Sequence, residues 1–206
     1  MSLVIRFVHP VPWPGAATGL ALAAASLGCH PAAAASQTPA PLSPAPCGWT
    51  LTAQSPIAMV HQGVSATYML GGPSLMIMLG GTQGQHAGGM IMVSGANGTG
   101  VYPVPGGAPS GSGAGSVLTA ERHDGTLVAL GSGSGDDLVY RGQVVGKYPP
   151  PARLTINYWG PNQIRGDLSG TYFDMTAVGQ DPPVIVPVPV HVVFTAGSAF
   201  SPGGCP

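Results

Sequence analysis

The sequence predicts an all-β fold, a single antiparallel β-sandwich or barrel-like domain behind a signal peptide and a Pro/Ala-rich linker. Three observations point there. From Gly48 onward the apolar residues alternate or run in short blocks, with no sustained 3.6-residue period. Gly, Pro, Asn and Ser punctuate those blocks, and 33 Gly and 23 Pro in 206 residues supply the turns that many short strands need. Near the C-terminus two segments carry apolar faces with a period of two, the pattern of half-buried strands.

In chain order, strands are expected near residues 49–53, 66–70, 75–79, 90–93, 117–120, 126–130, 138–145, 153–158, 163–173 and 184–195. About ten short strands at this spacing suit a sandwich or barrel. Residues 105–116 (PGGAPSGSGAGS) read as a loop. In 163–173 (QIRGDLSGTYF), Ile164, Gly166, Leu168, Gly170 and Tyr172 share one face and Arg165, Asp167, Ser169 and Thr171 the other; the glycines mark a bend or bulge. In 184–194 (VIVPVPVHVVF), Val184, Val186, Val188, Val190, Val192 and Phe194 form an apolar face opposite Pro187, Pro189 and His191. Prolines two apart delete donors on one side only, so an edge strand is expected there.

Charge is scarce and uneven. Only 6% of the residues are charged, against about 25% in an ordinary soluble domain, and residues 7–120 hold no Asp, Glu, Lys or Arg. There is no basic stripe to neutralise phosphates, which argues against nucleic acid as a partner. A site in the first half must use His, Met, hydroxyl, amide or backbone groups, which excludes carboxylate pairs there.

The N-terminal segment MSLVIR carries one positive charge, and residues 16–27 (AATGLALAAASL) form an apolar run ending at Gly28 and Cys29. That run is shorter than the roughly 20 helical residues of a membrane span and reads as the core of a secretory signal. Residues 1–28 are the expected signal peptide. A second cleavage position follows residue 35, where Ala33, Ala34 and Ala35 precede Ser36. The stretch Ser26-Leu27-Gly28-Cys29 resembles a bacterial lipobox, with Ser where Leu is usual, and implies lipidation of Cys29. Residues 29–46, rich in Ala and Pro, form an extended tether, and residues 47–206 the β-domain. The expected location is the bacterial cell envelope, as a periplasmic or outer-membrane lipoprotein held to the membrane through Cys29; cleavage after residue 35 would instead give a secreted protein. With Cys29 lipidated or removed, Cys47 and Cys205 remain as a pair for an oxidising compartment. A bridge between them pins both ends of the domain and stabilises it by about 5 kcal/mol at most.

Three segments, GTGVYPV (98–104), ARLTINYWGPNQIRGDLSGTYFD (152–174) and VHVVFTAG (190–197), together resemble a pattern of bacterial secreted and lipoprotein β-domains of uncharacterised function. In that pattern G-x-Y and L-x-I strands precede a G-x-(L/F)-S-G strand and a valine-rich closing strand. The likeness covers the C-terminal half. It implies an exported β-sandwich and brings no catalytic residue. In architecture, the tether, small β-domain and terminal disulfide are also similar to mycobacterial lipoprotein antigens.

Methionine is the one enriched chemical group, concentrated between Met59 and Met92 alongside His61 and His86. Met76 and Met78 occupy alternate positions in SLMIMLG, as do Met90 and Met92 in GMIMVSG, so each pair projects from one strand face. If the two strands pair through GGTQGQHAGG, four thioethers converge with His86 in the connection. Thioether and imidazole donors without carboxylate suit Cu(I) or Ag(I); the competing reading is that Met fills gaps in a core. No G-x-S-x-G, H-E-x-x-H, C-x-x-C or phosphate-loop motif occurs, so no catalytic residue is expected and the protein reads as non-enzymatic. Arg122-His123-Asp124 reads as a turn, Asp136-Asp137 as a solvated turn, and His123 and His191 as single surface residues. Trp49, Tyr102, Tyr158, Trp159 and Tyr172 are either a sugar-stacking platform or core and rim packing. The expected function is a binding or structural module of the envelope with a protein or glycan partner. Cu(I) or Ag(I) binding and carbohydrate binding are the alternatives.

Overall fold

In the computed structural model, which describes residues 46–80, 87–106 and 114–200, the alternation of the sequence becomes thirteen strands and one helical turn among the described residues. These are β1 (Gly48–Ala53), β2 (Met59–Gly63), β3 (Ser65–Gly71), β4 (Ser74–Gly80), β5 (Gly88–Ser94), β6 (Gly100–Val104) and β7 (Gly115–Glu121), followed by β8 (Leu127–Ser132), β9 (Asp137–Tyr140), β10 (Gln143–Lys147), β11 (Ala152–Trp159), β12 (Gln163–Asp174), α1 (Met175–Val178) and β13 (Pro187–Ser198). All lie within a compact unit that begins at Ser43. No helix among the described residues is long and apolar enough to cross a membrane.

The longest strands, β12 and β13, pair antiparallel from Gln163↔Gly197 to Phe173↔Pro187. Beside them β1 joins β13 and β2 joins β1, while β11 joins β12 and β6 joins β11. That makes one layer, β2-β1-β13-β12-β11-β6. The second layer is β3-β4-β5-β7-β8, and it is stitched to the first at both ends. The C-terminal end of β13 pairs with β3 at Gly197↔Thr67 and Ser198↔Tyr68, and that of β12 pairs with β8 at Tyr172↔Ser132 through Asp174↔Leu130. The β13–β3 contact is parallel; every other strand pairing is antiparallel. The expected sandwich or barrel-like fold is therefore present, with features of both.

Alternation places one continuous core between the layers. From the first layer come Leu51, Leu154, Ile156, Ile164, Leu168, Val188, Val192 and Phe194; from the second come Leu75, Ile77, Ile91, Val93, Leu118 and Leu130. Each fully buried aliphatic or aromatic side chain of this kind contributes about 1.5–3 kcal/mol. Gly166 faces inward where β11 and β12 shift register between Ile156 and Tyr158. A Cβ there would overlap the Thr155 carbonyl oxygen and press on the Phe194 ring. The glycine thus marks a bulge, as the sequence suggested.

Four expectations need correction. Residues 138–145 form two strands instead of one, because Arg141 (φ 48°) and Gly142 (φ 78°) adopt left-handed conformations and turn the chain as a tight β9–β10 hairpin. Periodicity does not mark the short strands β2 and β6, although the resemblance implies a G-x-Y strand where β6 lies; each pairs on one side only, with β1 and β11 respectively. The last strand begins at Pro187, and Val184 is 44% exposed instead of continuing the inner face. Finally, β13 is an interior strand, between β1 and β12. The prolines are still tolerated, because β1 ends at Ala53↔Val190 and Gln54 N–H donates to the Pro189 carbonyl at 2.9 Å. A residue's N–H and C=O point to the same side of a strand. The missing donors of Pro187 and Pro189 thus face the side where β1 has run out.

The core also holds a short polar chain. Tyr172 Oη lies 2.6 Å from Ser116 Oγ, Ser116 N–H donates to Ser132 Oγ at 3.1 Å, and Ser132 Oγ donates to the Pro105 carbonyl at 2.8 Å. Burial holds the Tyr172 phenol above its ordinary pKa, so it stays neutral and hydrogen-bonded. Tyr172→Phe leaves the Ser116 hydroxyl buried without its phenol, with an expected cost of about 1–3 kcal/mol. In urea unfolding, Ser116→Ala should cost less in the Tyr172→Phe background than in the wild type, and equal costs would contradict the pairing.

Candidate functional site

The second layer turns its methionines outward. Ile77 and Ile91 fill inward positions of β4 and β5, so their neighbours in the alternation, Met76, Met78, Met90 and Met92, take the outer face. Register sets Met76 opposite Met92 and Met78 opposite Met90. The strand pairing that the sequence reading assumed is present, and it places Met76, Met78, Met90 and Met92 on one face; His86 lies outside the described residues. The register also adds a residue that reading omitted: Met69 of β3 is the partner of Met76. Its signal was available in SATYML, where the inward alternates Ala66 and Tyr68 leave Met69 facing out.

Met69, Met76 and Met92 form a row across three adjacent strands and line one cleft of about 390 Å³, completed by Gly71, Pro73, Ser74 and Ser94. Gly95 N–H donates to the Pro73 carbonyl at 2.6 Å, which ties the β3–β4 turn to the end of β5. Met92 is 7% exposed, while Met175, at 36%, lies further along the layer with its sulfur beside Gly131 of β8. None of the five hairpin-sheet methionines belongs to the core cluster, whereas Met59 packs against it. Met69, Met76, Met78 and Met90 are half-buried on the outer face, whereas Met92 is buried. Among the described residues, no three His, Cys, Asp or Glu gather as a metal-binding group.

A second feature is an apolar groove of about 510 Å³ between β10 and the segment that leads into β13. Val145, Pro149, Pro150, Pro183, Val184, Ile185 and Pro187 supply most of its lining, completed by Gly146, Thr171 and Lys147. Val139 and Val144 on the adjoining hairpin are 58% and 61% exposed. Charges here are paired: Lys147 with Asp137 at 3.4 Å and Arg141 with Asp181 at 3.5 Å. The Tyr140 hydroxyl also donates to Asp181, and this bond to a carboxylate raises the phenol's pKa.

The other sequence candidates resolve into structural roles. Arg122, His123 and Asp124 form the β7–β8 turn, closed by Gly125 N–H to the Arg122 carbonyl at 2.9 Å. Asp124 accepts from Thr126 N–H at 2.9 Å, and this bond lowers its pKa. Asp137 is spent on Lys147. His191 is exposed as expected but has a partner, Asp167 at 3.9 Å across β12 and β13. His61 Nε2 lies 2.8 Å from the Glu121 carbonyl. Four of the five aromatics are core or rim residues: Trp49 and Tyr172 are buried in the core and Tyr102 and Trp159 pack against it; Trp49 Nε1 donates to the Gly80 carbonyl at 2.7 Å, and Tyr158 lies beneath the Arg165 guanidinium at 4.9 Å. Cys47 is disulfide-bonded. Cys29 and Cys205 both lie outside the described residues.

These exposures order the methionines toward oxidation, since sulfoxide formation follows access. Under dilute hydrogen peroxide, peptide mapping should find Met175 oxidised first and Met92 last, with little change in far-ultraviolet circular dichroism. Unfolding that accompanies the first sulfoxides would contradict the outward placement.

Comparison with protein-family models, with characterised proteins and with solved structures gives no match.

Proposed function

We propose that the chain is a non-enzymatic binding module of the bacterial cell envelope, exported and tethered by a lipid on Cys29, that holds an apolar segment of a protein partner. The observation that carries this reading is the groove beside Pro187, with its proline and valine walls. Its lining residues include no aromatic ring on which a sugar face would stack, which favours protein over glycan among the partners the sequence allowed. Val184 in the groove and Val139 and Val144 on the adjoining hairpin are exposed apolar residues, and exposed apolar surface of this kind marks interaction sites. The neighbouring charges already satisfy one another, so an uncharged segment suits the groove better than a charged one. The resemblance of the C-terminal half to exported β-domains, the apolar run at 16–27 and the lipobox-like stretch ending at Cys29 support the location.

The test uses the full-length chain in its native envelope, with a photo-crosslinking residue in place of Val184 or Val145 and, as a control, of exposed Val101 on β6. A discrete adduct is expected from the two groove positions, identified by mass spectrometry as one envelope protein and abolished by Ile185→Glu. No adduct, or an equal adduct from Val101, would overturn the proposal.

A further inference from the structure

We infer that Met69, Met76 and Met92 form a binding site for a soft monovalent cation, Cu(I) or Ag(I), held by three thioether sulfurs. It shares no residue with the groove, so either proposal stands if the other fails.

The register supplies the geometry. Met69↔Met76 and Met76↔Met92 are consecutive cross-strand partners on β3, β4 and β5, so Met76 sits one strand spacing, about 4.8 Å, from each neighbour. Three unbranched side chains on one face, each with several rotatable bonds, can bring their sulfurs to a common point. All three line the same cleft of about 390 Å³, which is room enough for a single ion between them. Gly71, which also lines the cleft, faces open space, with nothing within 4 Å of where its Cβ would be.

The chemistry of the walls selects the ion. The remaining lining residues are Gly71, Pro73, Ser74 and Ser94, so among the described residues no carboxylate, imidazole or amine competes with the sulfurs. Ca²⁺ and Mg²⁺ require several oxygen ligands, carboxylates among them, and Zn²⁺ prefers thiolate, imidazole or carboxylate. Neutral thioethers suit Cu(I) and its soft analogue Ag(I). No charged residue occurs anywhere in residues 7–120, the stretch that builds all three strands, so the bound ion would keep its single positive charge. Met78↔Met90, two residues along the same strands, form an adjacent sulfur pair about 7 Å away, outside the cleft.

Thioethers do not protonate in the ordinary pH range, and this separates the site from one built on histidine. The experiment titrates the full-length chain, with free thiols alkylated, against Cu(I) under anaerobic conditions with a chromophoric competitor, and against Ag(I) in parallel. One equivalent is expected, with affinity unchanged between pH 7 and pH 5 and an all-sulfur first shell by X-ray absorption. Each of Met69→Leu, Met76→Leu and Met92→Leu, which keep volume and apolarity, should weaken binding on the order of tenfold or more. Met78→Leu/Met90→Leu should leave affinity within about twofold. Three results would each overturn the assignment. The first is a triple Leu variant, folded by circular dichroism, that binds as the wild type does. The second is affinity lost on acidification to pH 5, which would assign imidazole as a ligand. The third is a wild-type chain that takes up no stoichiometric metal.

Discussion

Everything described here depends on the antiparallel pairing of β12 with β13. Among the described residues, these two strands alone pair across the layers: β13 runs beside β1 and ends against β3, and β12 runs beside β11 and ends against β8. Their inward residues, Ile164, Leu168 and Tyr172 on one and Val188, Val192 and Phe194 on the other, sit in the middle of the core. Gly166 lets β11 approach β12 closely enough for the sheet to bend there. Without that pairing the strands would still form one ladder from β2 to β6, but the sheet would stay open instead of closing on itself and the two layers would not share a core.

The outer surfaces follow from the same constraint. Once β13 fixes the face that β3 presents, the antiparallel ladders β3–β4 and β4–β5 determine which residues of the second layer point in. Ile77 and Ile91 go to the core, and the intervening methionines have only the outer face left. A slip of one residue would exchange the two sets, burying sulfur and exposing isoleucine. The groove has a comparable origin. Because β1 stops at Ala53, the Pro187 end of β13 lacks a strand on that side, and the chain before it folds against β10, with Ile185 beside Gly146.

Much of this was legible in the sequence, for identifiable reasons. Where one face is buried and the other wet, as in residues 163–173, the period of two gives strand, face and bend together. The hairpin of β4 with β5 was also readable from the two Met-x-Met segments on either side of one Gly-rich connection, but its register, which sets Met76 opposite Met92, was not. Reading failed where information was not local. The interior position of β13 depends on β1, far away in sequence, and prolines that suggest an edge in isolation mark only the point where a neighbour ends. Met69 was missed because its row is defined by three strands, and a hairpin reading considers two. The division of residues 138–145 rests on Arg141 adopting a positive φ, a conformation uncommon outside glycine, asparagine and aspartate. The groove has no motif, since its walls come from separate proline and valine segments brought together by the fold.

The most direct measurement is residue-resolved amide hydrogen exchange on the folded chain, because protection ranks elements by their share in the cooperative core. The slowest amides should lie in residues 164–172 and 188–196, with β4 and β5 next and the β9–β10 hairpin fastest among the strands. Exchange in β12 and β13 as fast as in that hairpin would show that the two layers do not depend on this pair, and would contradict the account at its foundation.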